Sequence, residues 1–131
     1  MNRILPVVAL ALALACGAAP SGVAEVSQDD LLSGRSATLI LDVRTPAEYA
    51  AGHVPDAVSI PHDQLAARLA EIEAFRDEPI VLYCESGGRA GRAASILADA
   101  GFTKLLHLEG DMSAWRKRGL PTEPAGAVPS Q

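Results

Sequence analysis

Short apolar runs alternate along this chain with segments of helical character, and this alternation constrains the fold more than any other feature. Residues 38–41 and 80–83 are apolar runs of the kind found in parallel strands that are buried on both faces of a sheet. A helix signal follows the first run, because Thr45 and Glu48 fit a capping box with Pro46 at the first helical position. The pattern therefore predicts an α/β fold in which a mainly parallel central sheet has helices on both faces.

The same alternation continues through the rest of the chain. Ser27 is a candidate N-cap for a helix that ends near Gly34. Trp115 is expected to pack into the core. We predict further strands at residues 57–60 and 104–108, and further helices at residues 62–75, 89–100 and 112–117.

A cysteine stands where the second apolar run ends and the next helix begins. Cys84 is followed by a loop that contains Gly87 and Gly88, and then by Arg89 at the start of the helix. A helix N-terminus favours an anion, because its first N–H groups are unpaired and its dipole is positive there. A thiol at that position is stabilised as the thiolate, which makes Cys84 a candidate nucleophile. The alternative for a lone cysteine is an inert residue that closes a core strand.

Three motifs in a fixed order give the chain a family resemblance. Four residues, with Ser-Gly in the middle, separate Cys84 from Arg89. Residues 41–57 carry a first motif, and residues 108–121 carry a weaker third one. From about residue 26 to residue 121, the chain resembles the single-domain rhodanese-type sulfurtransferases of the exported bacterial kind.

The resemblance implies a rhodanese-like three-layer fold and a sulfur-transfer reaction. Cys84 would take a sulfane sulfur from a donor such as thiosulfate or polysulfide and hold it as a persulfide. A thiophilic acceptor would then remove the sulfur, and no cofactor is implied. Cys84 is the expected catalytic residue; the expected loop residues are Glu85, Ser86, Gly87, Gly88 and Arg89, and the expected supporting residues are Asp42, Arg44, Glu48 and His53.

The loop residues differ in what their chemistry predicts. Gly87 and Gly88 allow the loop N–H groups to point inward and form a nest for an anion. Arg89 is expected to brace the loop carbonyls or to meet the sulfur anion. Ser86 is expected either to donate to the persulfide or to cap the helix. The resemblance places Asp42 and Arg44 in one structural network with Glu48 and His53, and no metal-ligand spacing surrounds His53.

Two positions depart from the family pattern. Glu85 follows the nucleophile directly, and a carboxylate there is expected to repel a dianionic donor such as thiosulfate. Asp111 follows Gly110 where many relatives show paired glycines. We expect that second change to affect only a surface turn.

Two other functions are weighed against sulfur transfer. Tyrosine phosphatases that share this fold have one more residue between the cysteine and the arginine, which gives a wider cradle for a phosphoryl group. The shorter loop here favours a persulfide. The alternative from a different class is a non-catalytic module that binds persulfide or an anion, or that docks a partner.

The N-terminal residues predict export. A short positive segment with Arg3 precedes the apolar residues 4–15, which are too few to span a bilayer comfortably. Cleavage is expected either before Cys16, which would then be acylated as a membrane anchor, or after Ala24. We therefore predict a leader and tether over residues 1–24, a domain over residues 25–121 and a disordered tail over residues 122–131, in a periplasmic protein that is soluble or lipid-anchored.

The charge and the cysteine content limit the classes of partner that the protein is expected to have. The formal net charge is −5 and no long basic run occurs, which argues against nucleic acid. The one cationic cluster, residues 116–118, is predicted to be a solvated helix end. Once the leader is processed, Cys84 is the only thiol of the domain, so its sulfur must pass to an outside acceptor. The expected partners are a small sulfur-donor anion and a thiol or cyanide acceptor, and the domain is expected to be a monomer.

Overall fold

The computed structural model of the protein describes residues 23–124, which form five strands and four α-helices. The strands are β1 (Val23–Val26), β2 (Leu39–Asp42), β3 (Val58–Ser59), β4 (Ile80–Tyr83) and β5 (Leu105–Leu108). The helices are α1 (Gln28–Leu32), α2 (Pro46–Ala50), α3 (Gly88–Asp99) and α4 (Asp111–Lys117).

All strand pairs in the sheet are parallel, and the strand order is β1-β5-β4-β2-β3. The sheet and its helices confirm the predicted α/β class. Strand β4 lies at the centre, where Ile80 pairs with both Leu39 of β2 and Leu105 of β5. All four residues of β4 are buried, as a strand covered on both faces requires.

Alternate residues of β4 divide the core into two layers. Ile80 and Leu82 pack in the cluster that contains the buried residues of α3, such as Leu97. Val81 and Tyr83 pack in the opposite cluster, which contains residues of α1 and α4. Trp115 is fully buried in that second layer, as predicted. The sheet is therefore the middle of three layers.

The segment predicted as a helix over residues 62–75 is instead two pieces of 3-10 helix, Leu65–Ala67 and Leu69–Phe75. Arg68 separates them with φ −116° and ψ 15°, outside the helical region. A 3-10 helix has three residues per turn, so the side chains of Arg68 and Glu71 are aligned. They form an ion pair in which Arg68 Nε lies 2.6 Å from Glu71 Oε2. Leu65 and Ile72 are nevertheless buried against α3, so the predicted apolar face was correct although the helix type was wrong.

Both predicted domain boundaries differ from the extent of the described fold. Strand β1 begins at Val23 and pairs with β5 from Val23 to Val26, so cleavage after Ala24 would remove half of this strand. At the other end, Glu123 forms an antiparallel bridge with His53, although residues 122–124 were assigned to the tail. Cys16, the rest of the predicted leader and residues 125–131 lie outside the described residues. Between residues 23 and 124, no helix is both long enough and apolar enough to cross a bilayer.

The topology brings together the three loops that follow β2, β4 and β5, at the carboxyl ends of these strands. After β4 the chain enters α3 on one face, whereas after β2 and β5 it enters α2 and α4 on the other face. A crevice forms where neighbouring strands send their helices to opposite faces, and ligands bind there in open α/β sheets. Cys84 follows β4 directly and stands at this crevice.

Candidate active site

The sulfur of Cys84 sits at the start of α3 and is held by the backbone of its own loop. The N–H of Gly87 donates a hydrogen bond to Cys84 Sγ over 3.0 Å. Gly87 adopts φ +115°, a left-handed conformation that side chains with a Cβ rarely adopt. This conformation turns the peptide so that its N–H faces the sulfur. Cys84 itself is 1% exposed, so this contact is shielded from water.

The first turn of α3 offers further N–H groups to an anion beside the sulfur. Gly87 is the N-cap of α3, and no side chain caps the helix. The first N–H groups of a helix have no partner within the helix, so those of α3 are available around Cys84. Ser86 is exposed and does not cap the helix, so one of its two predicted roles is excluded. A Cβ at Gly88 would meet open space, so the tight conformation belongs to Gly87 alone.

Arg89 ties the start of α3 to α2 through an ion pair with Glu48. The guanidinium nitrogens of Arg89 lie 2.6 Å and 3.0 Å from the two carboxylate oxygens of Glu48. Thr45 forms the predicted capping box with Glu48, so the same carboxylate also caps α2. The hydrogen bond from Arg89 lowers the pKa of Glu48 to about 2. Arg89 therefore fixes the loop against the neighbouring helix, in place of the predicted contact with the loop carbonyls.

Asp42 and Arg44 form a buried ion pair at the carboxyl end of β2. Arg44 Nη2 lies 2.8 Å from Asp42 Oδ2, and both side chains are almost fully buried. Tyr83 also donates to Asp42 Oδ2 over 2.7 Å, and Gly52 accepts from Arg44 over 2.7 Å. Burial and the carboxylate of Asp42 raise the pKa of Tyr83, which keeps it a hydrogen-bond donor. These bonds satisfy the buried charges and hold the carboxyl end of β2 beside that of β4.

His53 and Glu48 do not belong to this network. His53 stacks on the Tyr49 ring with centroids 3.6 Å apart, and its Nδ1 lies 2.9 Å from the Tyr49 carbonyl. Glu48 faces Arg89 instead. The two supporting roles are therefore local, since His53 anchors the end of α2 and Glu48 anchors the thiol loop.

Glu85 is paired with two arginines, which the sequence did not predict. Arg116 of α4 lies 2.6 Å from one oxygen of Glu85, and Arg44 lies 3.5 Å from the other. The hydrogen bond from Arg116 lowers the pKa of Glu85, so the carboxylate is ionised but its charge is compensated. Arg118 of the same cluster contacts Gln28 and Asp29. Residues 116–118 are exposed at the end of α4, as predicted, and the two arginines also form ion pairs that the sequence did not predict.

Asp111 contacts the backbone of Cys84 directly, and sequence reasoning missed it. Its side chain is 3% exposed, and its Oδ1 accepts the backbone N–H of Cys84 over 3.0 Å. His107 Nε2 lies 2.9 Å and 3.0 Å from the two carboxylate oxygens of Asp111. The expectation that this departure affects only a surface turn was wrong. The sequence held one signal, since Asp111 stands where the family resemblance implies a second glycine after Gly110, and its φ is +54°.

Comparisons with known proteins agree with this geometry. Residues 27–118 match the family model described as Rhodanese-like domain. The chain belongs to the rhodanese family. A sulfurtransferase of Allochromatium vinosum is 38% identical over 102 residues, which cover 76% of this chain and 94% of that protein. Thiosulfate sulfurtransferase 16 of the Arabidopsis thaliana chloroplast is 36% identical over 115 residues, which cover 79% of this chain and 93% of that protein.

Solved structures show the same fold. The crystal structure of a rhodanese-related protein from Thermoplasma volcanium superimposes with a TM-score of 0.66 at 27% identity. The superimposed region covers 76% of this chain and 96% of the Thermoplasma volcanium protein. The rhodanese domain described here therefore shares both its sequence motifs and its layered sheet with known members of the family.

The two loop glycines of this rhodanese domain are expected to differ in their effect on stability. Gly87→Ala forces a Cβ into a left-handed conformation, where it would lie 3.2 Å from Asp111 Oδ2. We expect the free energy of unfolding to fall by about 1–3 kcal/mol. Gly88→Ala meets open space and should change it by less than about 0.5 kcal/mol. Urea denaturation of both variants measures the difference, and equal losses would contradict the assignment of the tight turn to Gly87.

Proposed function

We propose that this protein is a sulfurtransferase that carries a sulfane sulfur on Cys84 as a persulfide. The observation that carries the proposal is the hydrogen bond from the Gly87 N–H to Cys84 Sγ at the uncapped start of α3. This arrangement favours negative charge on sulfur, and a terminal persulfide sulfur is an anion at neutral pH. The names of the two sulfurtransferase relatives support the same reaction class.

The first half of the reaction loads the sulfur. The Cys84 thiolate attacks the outer sulfur of thiosulfate, and the sulfur–sulfur bond of the donor breaks as the new one forms. Sulfite leaves with the electron pair of the broken bond. The terminal sulfur on Cys84 then carries the negative charge and is stabilised by the N–H groups at the start of α3.

The second half of the reaction unloads the sulfur. A thiolate or cyanide attacks the terminal sulfur, the bond to Cys84 breaks, and the Cys84 thiolate is regenerated with its electron pair. The product is a persulfide of the acceptor or thiocyanate. Among the described residues Cys84 is the only cysteine, so no neighbouring thiol of residues 23–124 takes part in this step.

The adduct on Cys84 is the direct test of the proposal. We expect the intact mass to rise by one sulfur atom after exposure to thiosulfate or polysulfide, and cyanide should reverse the change. Cys84→Ser is the control and should gain nothing. If Cys84 in the folded protein stays unmodified by every donor tried, the non-catalytic binding module becomes the better account.

The ion pair between Arg116 and Glu85 is expected to matter for anionic donors. Arg116→Gln removes the main partner of Glu85 and leaves its carboxylate, next to Cys84 in the chain, with only the more distant Arg44 at 3.5 Å. At close range this repulsion should lower kcat/KM for thiosulfate by roughly three- to tenfold, and added salt should reduce the effect.

Arg118→Gln is the matched control for that measurement. Arg118 lies on the same helix end but contacts Gln28 and Asp29, so its loss leaves Glu85 paired. We expect steady-state rates close to those of the unchanged protein. An equal fall of kcat/KM in both variants would mean that the net charge of the protein, and not the loss of the Arg116 partner of Glu85, determines the reaction with thiosulfate.

A further inference from the structure

The carboxylate of Asp111 is built into the backbone behind Cys84. The residue is 2% exposed, and its Oδ1 is the hydrogen-bond acceptor for the N–H of Cys84. It follows Gly110 at φ +75° and itself adopts φ +54°. A non-glycine residue in that region is strained, and the bond to Cys84 compensates for this conformation. The side chain is therefore held within one peptide of the nucleophile.

His107 is the basic partner of this carboxylate. Its Nε2 donates to both oxygens of Asp111, while its Nδ1 lies 3.6 Å from Glu25 Oε1 of β1. The hydrogen bond with Asp111 raises the pKa of His107 above its ordinary value. The ring also lies against the thiol loop, since a Cβ at Gly87 would be 3.8 Å from its Cε1 and Nε2.

The imidazole can exchange its proton with solvent. His107 is 23% exposed and lines a groove that runs between α3 and the edge of the sheet at β1. The titratable groups that face it are Asp111 from α4 and Glu25 from β1. Gly87, whose N–H donates to the sulfur of Cys84, also lies beside the ring. Asp111 is therefore buried next to the backbone of Cys84, whereas solvent reaches its partner His107.

We infer that Asp111 and His107 form a positioning pair in which Asp111 holds the backbone of Cys84 and the protonation of His107 sets the negative charge that the sulfur faces. The inference rests on the proposed function, in which Cys84 is the reactive sulfur. Neither residue touches the donor; both act through the loop.

The sign of the effect follows from the charges. While His107 is protonated, the pair is neutral and the carboxylate is screened from the sulfur. As the pH rises through the raised pKa of His107, the pair becomes negative and disfavours a second negative charge on Cys84. Anionic donors are then repelled more than neutral reagents are.

The rate at which Cys84 is alkylated by iodoacetamide, measured across pH on the full chain, tests the inference. Quantifying the adduct on the peptide that contains Cys84 separates this thiol from Cys16. His107→Gln removes the group that can carry the compensating positive charge, so the profile should move to higher pH by about half to one unit, or roughly three- to tenfold in rate at a fixed pH. Asp111→Asn keeps an acceptor oxygen for Cys84 but removes the charge, so the profile should move to lower pH.

Two further variants make the outcome decisive. Asp111→Gly suits the left-handed backbone, so it is expected to fold and to move the profile in the same direction as Asp111→Asn. Glu25→Gln removes a carboxylate from the exposed side of the same imidazole and should have a much smaller effect. Profiles that coincide for all variants, or a shift with Glu25→Gln as large as with Asp111→Asn, would overturn the inference.

The alkylation readout is independent of sulfur transfer. Shifted profiles together with no sulfur adduct would support the pair and contradict the proposed function. A sulfur adduct with unshifted profiles would contradict the pair alone.

Discussion

The contact between the Gly87 N–H and Cys84 Sγ is the interaction on which the rest of the site depends. A short turn connects the end of β4 at Tyr83 to the start of α3 at Gly88. Its left-handed position has little room for a side chain. The glycine in that position directs its own N–H at the sulfur of Cys84, next to the uncapped first turn of α3. The backbone at this point therefore favours negative charge on the sulfur.

The charges around this turn are arranged in compensated pairs. Each of the four carboxylates nearest the loop contacts a basic side chain, and the pairs are Asp42 with Arg44, Glu48 with Arg89, Glu85 with Arg116, and Asp111 with His107. Uncompensated, any of these carboxylates would oppose negative charge on Cys84. Three of the basic partners are arginines, which keep their charge at all relevant pH values, whereas His107 is a histidine whose pKa is raised by Asp111 and whose charge can be lost. The net charge of the three arginine pairs is therefore constant, whereas the net charge of the pair between Asp111 and His107 can change with pH.

Local patterns were enough to predict most of the elements and the position of Cys84 between a strand and a helix. The apolar run at β4, the Thr45 capping box and the burial of Trp115 all follow from residues close together in sequence. Strand β1 was missed because small residues at 22–24 also fit a cleavage site. The helix type at 62–75 was missed because an apolar face at residues 65, 69 and 72 does not distinguish a three-residue turn from a longer one.

The ion pairs of the site could not be predicted in the same way. Arg89 and Glu48 are 41 positions apart, and Arg116 and Glu85 are 31 apart, so their pairing depends on how α2, α3 and α4 pack around the sheet. Asp111 looked like a surface residue because its four-residue spacing from His107 spans a strand end and a turn. What carries it into the core is the tight backbone at Gly110, where a Cβ would lie 2.4 Å from the Ala114 Cβ.

A crystal structure of the thiosulfate-treated protein would show whether the start of α3 holds sulfur as an anion on Cys84. We expect one additional sulfur bonded to Cys84 Sγ, within hydrogen-bond distance of N–H groups in the first turn of α3. An added sulfur that points away from this turn, with those N–H groups bonded to other atoms, would contradict it.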